Sequence, residues 1–226
     1  MLKAERMDRV RAALRAQGLT QMIVCDPKSV WYLTGVAVEP YERLLALYLP
    51  TEGEPVLFLN RLFNVPEPPC RTVWHTDTDK PVAQIAEVVD AGRPLGIDKE
   101  WPAKFLIPLM ETHPGMQVVL SSDCVDDCRA CKDAEEQALM REASRINDAV
   151  NEAAKHYIKA GMTEREVAEF IDAQFRAHGC EGPSFTTIVS FGANAADPHH
   201  EPDDTVLKEG DCVLFDMGSR SILLMS

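Results

Sequence analysis

The stretch 121-SSDCVDDCRACKDAEEQALMREASRINDAVNEAAKHYIKAG-161 divides the chain into two kinds of folding unit. It opens polar and then sets Leu139, Met140, Ala143, Ile146, Ala149, Val150, Ala153, Ala154 and Ile158 at helical spacing. At 3.6 residues per turn these fall on one face, which predicts a long amphipathic helix running toward Gly161. Asp133 can accept the orphan amide of Glu136, and Glu136 can return the bond to the Asp133 backbone. Thr163 and Glu166 repeat that spacing, and Val167, Phe170, Ile171 and Phe175 carry a second helix toward Gly179.

Upstream, helix and strand patterns alternate. Met7, Val10, Ala13 and Leu14 make a helical stripe over Ala4 to Gln17, stopped at Gly18. Met22 to Cys25 reads as a strand, and Leu44 to Leu49 with Val56 to Leu59 as a hairpin across Pro50-Thr51-Glu52-Gly53-Glu54. A helix over Pro81 to Ala91, a strand over Leu95 to Asp98, a helix over Pro102 to Thr112 and a strand over Gln117 to Leu120 follow. Downstream of the two long helices come two strands, Phe185 to Ser190 and Cys212 to Asp216. The expected division is an α/β domain over residues 1–123 and an α+β domain over residues 124–226.

Composition narrows the function classes. Of the 226 residues, 46% are hydrophobic and 26% charged, which is globular and excludes disordered or fibrous classes. The formal charge of −13 repels nucleic acid and anionic lipid, so neither is expected as a partner. No apolar run reaches the roughly 18–20 residues of a membrane span, and Met1 to Arg6 lacks the apolar core of a secretion signal. A cytoplasmic address is the expectation. It agrees with seven cysteines, an odd number that argues against a disulfide framework.

Two constellations could carry chemistry. Cys124, Cys128 and Cys131 have a spacing that could ligate an iron–sulfur cluster of the kind used with S-adenosylmethionine, yet the same spacing places all three on one helix face. They also fall between domains, where no barrel follows to carry such chemistry. The second constellation is Pro198-His199-His200-Glu201-Pro202 followed by Asp211 to Gly218. There an apolar strand ends in Asp216 and a glycine. A buried unpaired carboxylate is costly, so Asp216 calls for a cation, a partner or solvent. His199 sits in a turn shaped by two prolines. The plain alternative is a strand end and turn, with both histidines on a surface loop.

Taken together the motifs resemble those of the pita-bread metallopeptidases: prolidase, aminopeptidase P, methionine aminopeptidase and the metal-free creatinases. The similar segments are Trp31-Tyr32-Leu33-Thr34-Gly35, Arg129 to Glu136 with Met140-Arg141-Glu142-Ala143, Gly161-Met162-Thr163-Glu164, Phe185 to Ser190, Gly192-Ala193-Asn194-Ala195, Pro198-His199-His200 and Leu207 to Gly218, in the family's order. The resemblance implies an α/β N-terminal creatinase-type domain followed by the first half of an α+β pita-bread domain. It implies hydrolysis of the peptide bond before proline by two divalent metals, Mn, Co or Zn, with Xaa-Pro peptides as substrates and a possible homodimer. Asp216 matches the first metal-bridging aspartate, and His199 the histidine that contacts substrate; His200 is given no role.

The second aspartate of the family's pair would fall one position past Ser226, and Ser219 to Ser226 departs from the family's turn. One carboxylate cannot hold two ions that each need about four to six ligands, so no hydrolysis is expected from this chain alone. The second unit would also lack part of its covering sheet. At about 25 cal/mol per Å² this forfeits on the order of 10 kcal/mol, which predicts loose packing or burial against another chain. A metal-free binding module and a creatinase-like hydrolase are the competing functions.

Overall fold

The computed structural model describes residues 3–221. The expectations concerning residues 222–226 lie outside them. The chain forms two compact units, one up to Cys131 and one from Lys132 onward.

The first unit contains α1 (Ala4–Ala16), β1 (Gln21–Val24), α2 (Pro27–Thr34), β2 (Ala46–Pro50), β3 (Val56–Asn60), β4 (Arg71–His75), α3 (Pro81–Ala86), β5 (Leu95–Ile97), α4 (Ala103–Thr112), β6 (Val118–Leu120) and α5 (Asp123–Ala130). Its six strands run in the order β4-β3-β2-β1-β5-β6. Only β2 is antiparallel to its neighbours, with Met22 opposite Leu49 and Leu47 opposite Leu57; β3–β4, β1–β5 and β5–β6 are parallel.

The period-two alternation of strand side chains gives this sheet two buried faces. Met22, Val24, Leu47, Leu49, Leu57 and Leu59 pack with α1, α2 and α5. Ile23, Ala46, Val56 and Phe58 point the other way, toward α3 and α4. The two cores make this unit a three-layer α/β domain.

The expected hairpin and the flanking strands are present. Two elements were not anticipated, and a third was read only as an alternative. One is α2, which Asp26 caps by accepting from Ser29 N at 2.9 Å and which Gly35 ends at φ +75°. Another is β4, whose half-exposed middle obscures its strand pattern. The third is α5, whose Cys124 and Val125 are 1% exposed within the first core. The expected cut between 123 and 124 falls inside α5, just before the two residues that join the first core. The helix expected over Pro81 to Ala91 ends at Ala86.

The second unit contains α6 (Ala134–Tyr157), α7 (Glu164–Ala177), β7 (Cys180–Pro183), β8 (Ile188–Phe191), a 3-10 turn (Gly192–Ala196), β9 (Val213–Asp216) and β10 (Ser219–Ser221). Both capping boxes are closed in both directions, Asp133 with Glu136 and Thr163 with Glu166. Tyr157 and Phe170 stack at 3.8 Å between α6 and α7. The strands form two antiparallel pairs, β8 with β9 and β7 with β10.

The core gathers Val150, Ala154, Val167, Ile171, Phe175, Cys180, Val189, Phe191 and Leu207. Around it Leu214, Phe215 and Met217 are half-buried. Phe185 and Met140 are exposed at 45% and 50%.

Candidate functional site

Asp216 ends β9, paired across the ladder with Ile188. It is exposed, and among the described residues no hydrogen bond or ion pair engages its carboxylate. His199 lies in the loop after the 3-10 turn, exposed, with its backbone N–H donating to Asp197 Oδ1 at 2.9 Å. No hydrogen bond or ion pair among the described residues joins His199 to Asp216.

What the structure does assemble is a network around Glu164, the first residue of α7. Glu164 is 0% exposed. Its Oε1 accepts from Phe191 N at 2.7 Å and Asn194 Nδ2 at 3.0 Å. Its Oε2 accepts from His200 Nε2 at 2.7 Å and Asp203 N at 3.1 Å. A buried carboxylate is tolerated only when its lone pairs are filled, and here all four directions are used.

Local sequence explains how these donors converge. Gly192 at φ +53° turns the chain out of β8 so that Asn194 faces back. Asp203 accepts from Thr205 N at 2.7 Å and shapes the return of the loop. The loop closes on α7 through Glu164 N donating to Thr205 O and Arg165 N donating to Asp203 O, both at 3.2 Å.

Electrostatics follow from this geometry. The hydrogen bond to Glu164 holds the His200 imidazole above its ordinary pKa. Hydrogen bonds from Thr205 hold Asp203 below the usual carboxylate range. Glu164, His200 and Asp203 bring one ligand atom each to within 4.8 Å of one another. They do not suit a cation, because two backbone N–H groups and an amide already point at the carboxylate where the ion would sit. Asp216 does not suit a pair of ions either: one carboxylate supplies too few of the roughly four to six donors each requires.

The cysteine constellation resolves as a helix. Cys124 is buried on α5, Cys128 is intermediate and Cys131 caps its end, exposed. Burial pushes the Cys124 thiol up to about 11. Among the described residues no cysteine belongs to a group close enough to share a metal.

The first unit holds a cleft of about 480 Å³ beyond the carboxyl ends of β1 and β5, lined by Asp26, Lys99, Trp101, Asp126 and Arg129 among others. Its charges largely satisfy one another: Arg129 binds Asp26 at 3.1 Å and Lys99 binds Asp126 at 2.5 Å. Among the described residues no helix is long and apolar enough to cross a membrane.

The residues that sequence reasoning missed are Glu164, Asn194, His200 and Asp203. Glu164 reads as a favourable acid in the first turn of a helix, and only its burial distinguishes it from one.

Comparison with known proteins agrees with this architecture. The profile of the creatinase/prolidase N-terminal domain matches residues 6–131, and that of metallopeptidase family M24 matches residues 138–221. An uncharacterized peptidase of Staphylococcus aureus is 32% identical over 206 residues, covering 86% of this chain and 56% of its own length. The crystal structure of a dipeptidase from Mycobacterium ulcerans is similar with a TM-score of 0.87 at 30% identity, covering 97% of this chain and 61% of that one. A prolidase from Thermococcus sibiricus gives 0.87 at 28% identity, covering 98% and 62%. The chain thus spans about 60% of the length of the relatives it matches. With a three-layer creatinase-type unit followed by the opening elements of a pita-bread unit, this chain belongs to metallopeptidase family M24.

Proposed function

We propose that these 226 residues are the N-terminal domain and the opening part of the peptidase domain of an Xaa-Pro dipeptidase of the prolidase type. The observation that carries this reading is the joint likeness of both units to a dipeptidase and a prolidase. In this reading Asp216 is a metal ligand and His199 the residue that meets the substrate. Asp216 is exposed at the end of β9, and its carboxylate is acceptor-only, the chemistry a metal ligand requires. Two ions of Mn, Co or Zn belong to the completed site, whose other ligands these residues do not supply. A homodimer is part of the same reading.

The 226-residue polypeptide by itself therefore does not hydrolyse Xaa-Pro bonds. The test is proline release from Leu-Pro and Met-Pro by the purified chain with Mn, Co or Zn, alongside calorimetric titration of each metal. The expected result is no metal-dependent release and no pair of tightly bound ions. Release that needs metal and is lost in Asp216→Asn would overturn the inactivity while supporting the assignment of Asp216. Release that ignores both metal and Asp216 would overturn the whole reading.

A further inference from the structure

We propose that Glu164 is a positioning residue for the loop that carries His199, acting through a protonation-dependent clasp with His200. The functional part of this inference, the role given to His199, rests on the dipeptidase reading; the clasp itself does not.

His199 lies in a loop running from Asp197 to Thr205, and its side chain is exposed. Glu164 takes hold of that loop on the carboxyl side of His199, at His200 Nε2 and at Asp203 N. The other oxygen of the same carboxylate fixes the point from which the loop departs, through Phe191 N and Asn194 Nδ2. One interior group therefore sets both the origin and the return of the segment. Among the described residues no hydrogen bond or ion pair holds the His199 side chain; its backbone N–H donates to Asp197 Oδ1. Its position follows from its neighbours.

The clasp is sensitive to protonation because the charged groups facing His200 are all acidic. Glu164 approaches from α7, while Asp203 and Asp197 approach from the loop itself. The remaining neighbours, Asn194 and Thr205, are neutral and are joined by a 3.1 Å hydrogen bond. The imidazolium is thereby favoured, and its bond to Glu164 is charge-assisted. A histidine whose folded pKa is raised contributes fully below its ordinary value. That contribution fades as pH climbs through the raised value. Above it, neutral imidazole still donates from Nε2 but without the charge. The loop should hold firmly in mild acid and loosen toward alkaline pH.

The experiment is amide hydrogen exchange by NMR on the full chain across that range, corrected for intrinsic exchange, with His200 titrated in the same samples. His199, His200 and Asp203 amides are expected to lose protection by about fivefold as His200 deprotonates, the difference between a charged and a neutral hydrogen bond. His200→Gln keeps a neutral donor that cannot titrate, so its loop should show at every pH the reduced protection that wild type reaches once His200 is deprotonated. His200→Ala should leave the loop unprotected at every pH. Glu164→Gln should lower the His200 midpoint; if that variant does not fold, the His200 pair decides the matter. A wild-type loop with pH-independent protection, or a His200→Ala loop as protected as wild type, would overturn the proposal. Neither substrate nor metal enters the measurement. A failed clasp therefore leaves the dipeptidase reading intact, and a failed hydrolysis prediction leaves the clasp intact.

Discussion

Phe175→Ala tests whether the second unit is held by the small core found between α6, α7 and β8. Phe175 is 0% exposed and belongs to a cluster of nine buried residues that contains one other phenylalanine, Phe191. Truncating a buried phenylalanine removes its transfer free energy and leaves a cavity, together about 3–5 kcal/mol. A unit of about 90 residues holds roughly 5–13 kcal/mol in all. The loss is thus about a quarter or more of the total, and for a unit at the low end of that range it approaches the whole. Hydrogen exchange read by mass spectrometry on peptides from α7 converts this into rates. At about 1.36 kcal/mol per factor of ten, protected amides should exchange about 10²–10⁴ times faster. Val206→Ala is the matched control, since Val206 is 43% exposed and its truncation should change stability by less than about 0.5 kcal/mol. Acceleration below tenfold in Phe175→Ala, or an equal effect in Val206→Ala, would refute the view that this cluster carries the unit's stability.

Two further outcomes are expected. Tyr32→Phe removes a hydroxyl that accepts from Arg9 Nη2 at 2.6 Å and donates to Cys128 O at 3.1 Å, joining α2, α1 and α5. The loss of about 1–2 kcal/mol should lower the urea midpoint by roughly 0.5–1 M, read by fluorescence of Trp31, Trp74 and Trp101, all in the first unit. Under Ellman's reagent the exposed Cys131 and Cys212 should react at once, while buried Cys25, Cys124 and Cys180 wait for unfolding. Half-buried Cys70, whose thiol burial pushes up to about 11, should lag between them. Prompt reaction of five or more thiols would contradict the burial described for both units.

Most of the fold was legible because its signals are local. Helix α6 announces itself by a stripe and by an acceptor three residues before a glutamate, and both halves of that capping box are present. The hairpin of β2 and β3 follows from two apolar runs around a glycine-containing turn. Elements with a weak local signal were lost or read only as an alternative. In α5 two of eight residues are buried and three are aspartates, so its polar composition resembles a linker. Packing of Cys124 and Val125 against α1 and α2, with the ties of Arg129 to Asp26 and of Cys128 O to Tyr32, makes it part of the first unit. In β4 the exposed start and half-buried centre reflect an edge position, which no pattern within five residues can reveal.

The same distinction governs the candidate site. Asp216 and His199 stand out in the sequence because each sits in a short motif; both are exposed, and no hydrogen bond or ion pair among the described residues joins them. Glu164 is illegible because its meaning is set by His200, 36 positions away, and by Asp203, 39 positions away. An acid at the first turn of a helix is ordinarily explained by the helix dipole, a contribution of about 0.3–1 kcal/mol that needs no burial. That explanation fails at 0% exposure, since dehydrating a carboxylate costs several kcal/mol and the dipole alone does not offset it. Four hydrogen-bond donors do. Their presence ties the beginning of α7 to the loop of His199, and it turns the second histidine of the pair from a bystander into the group through which that loop is held.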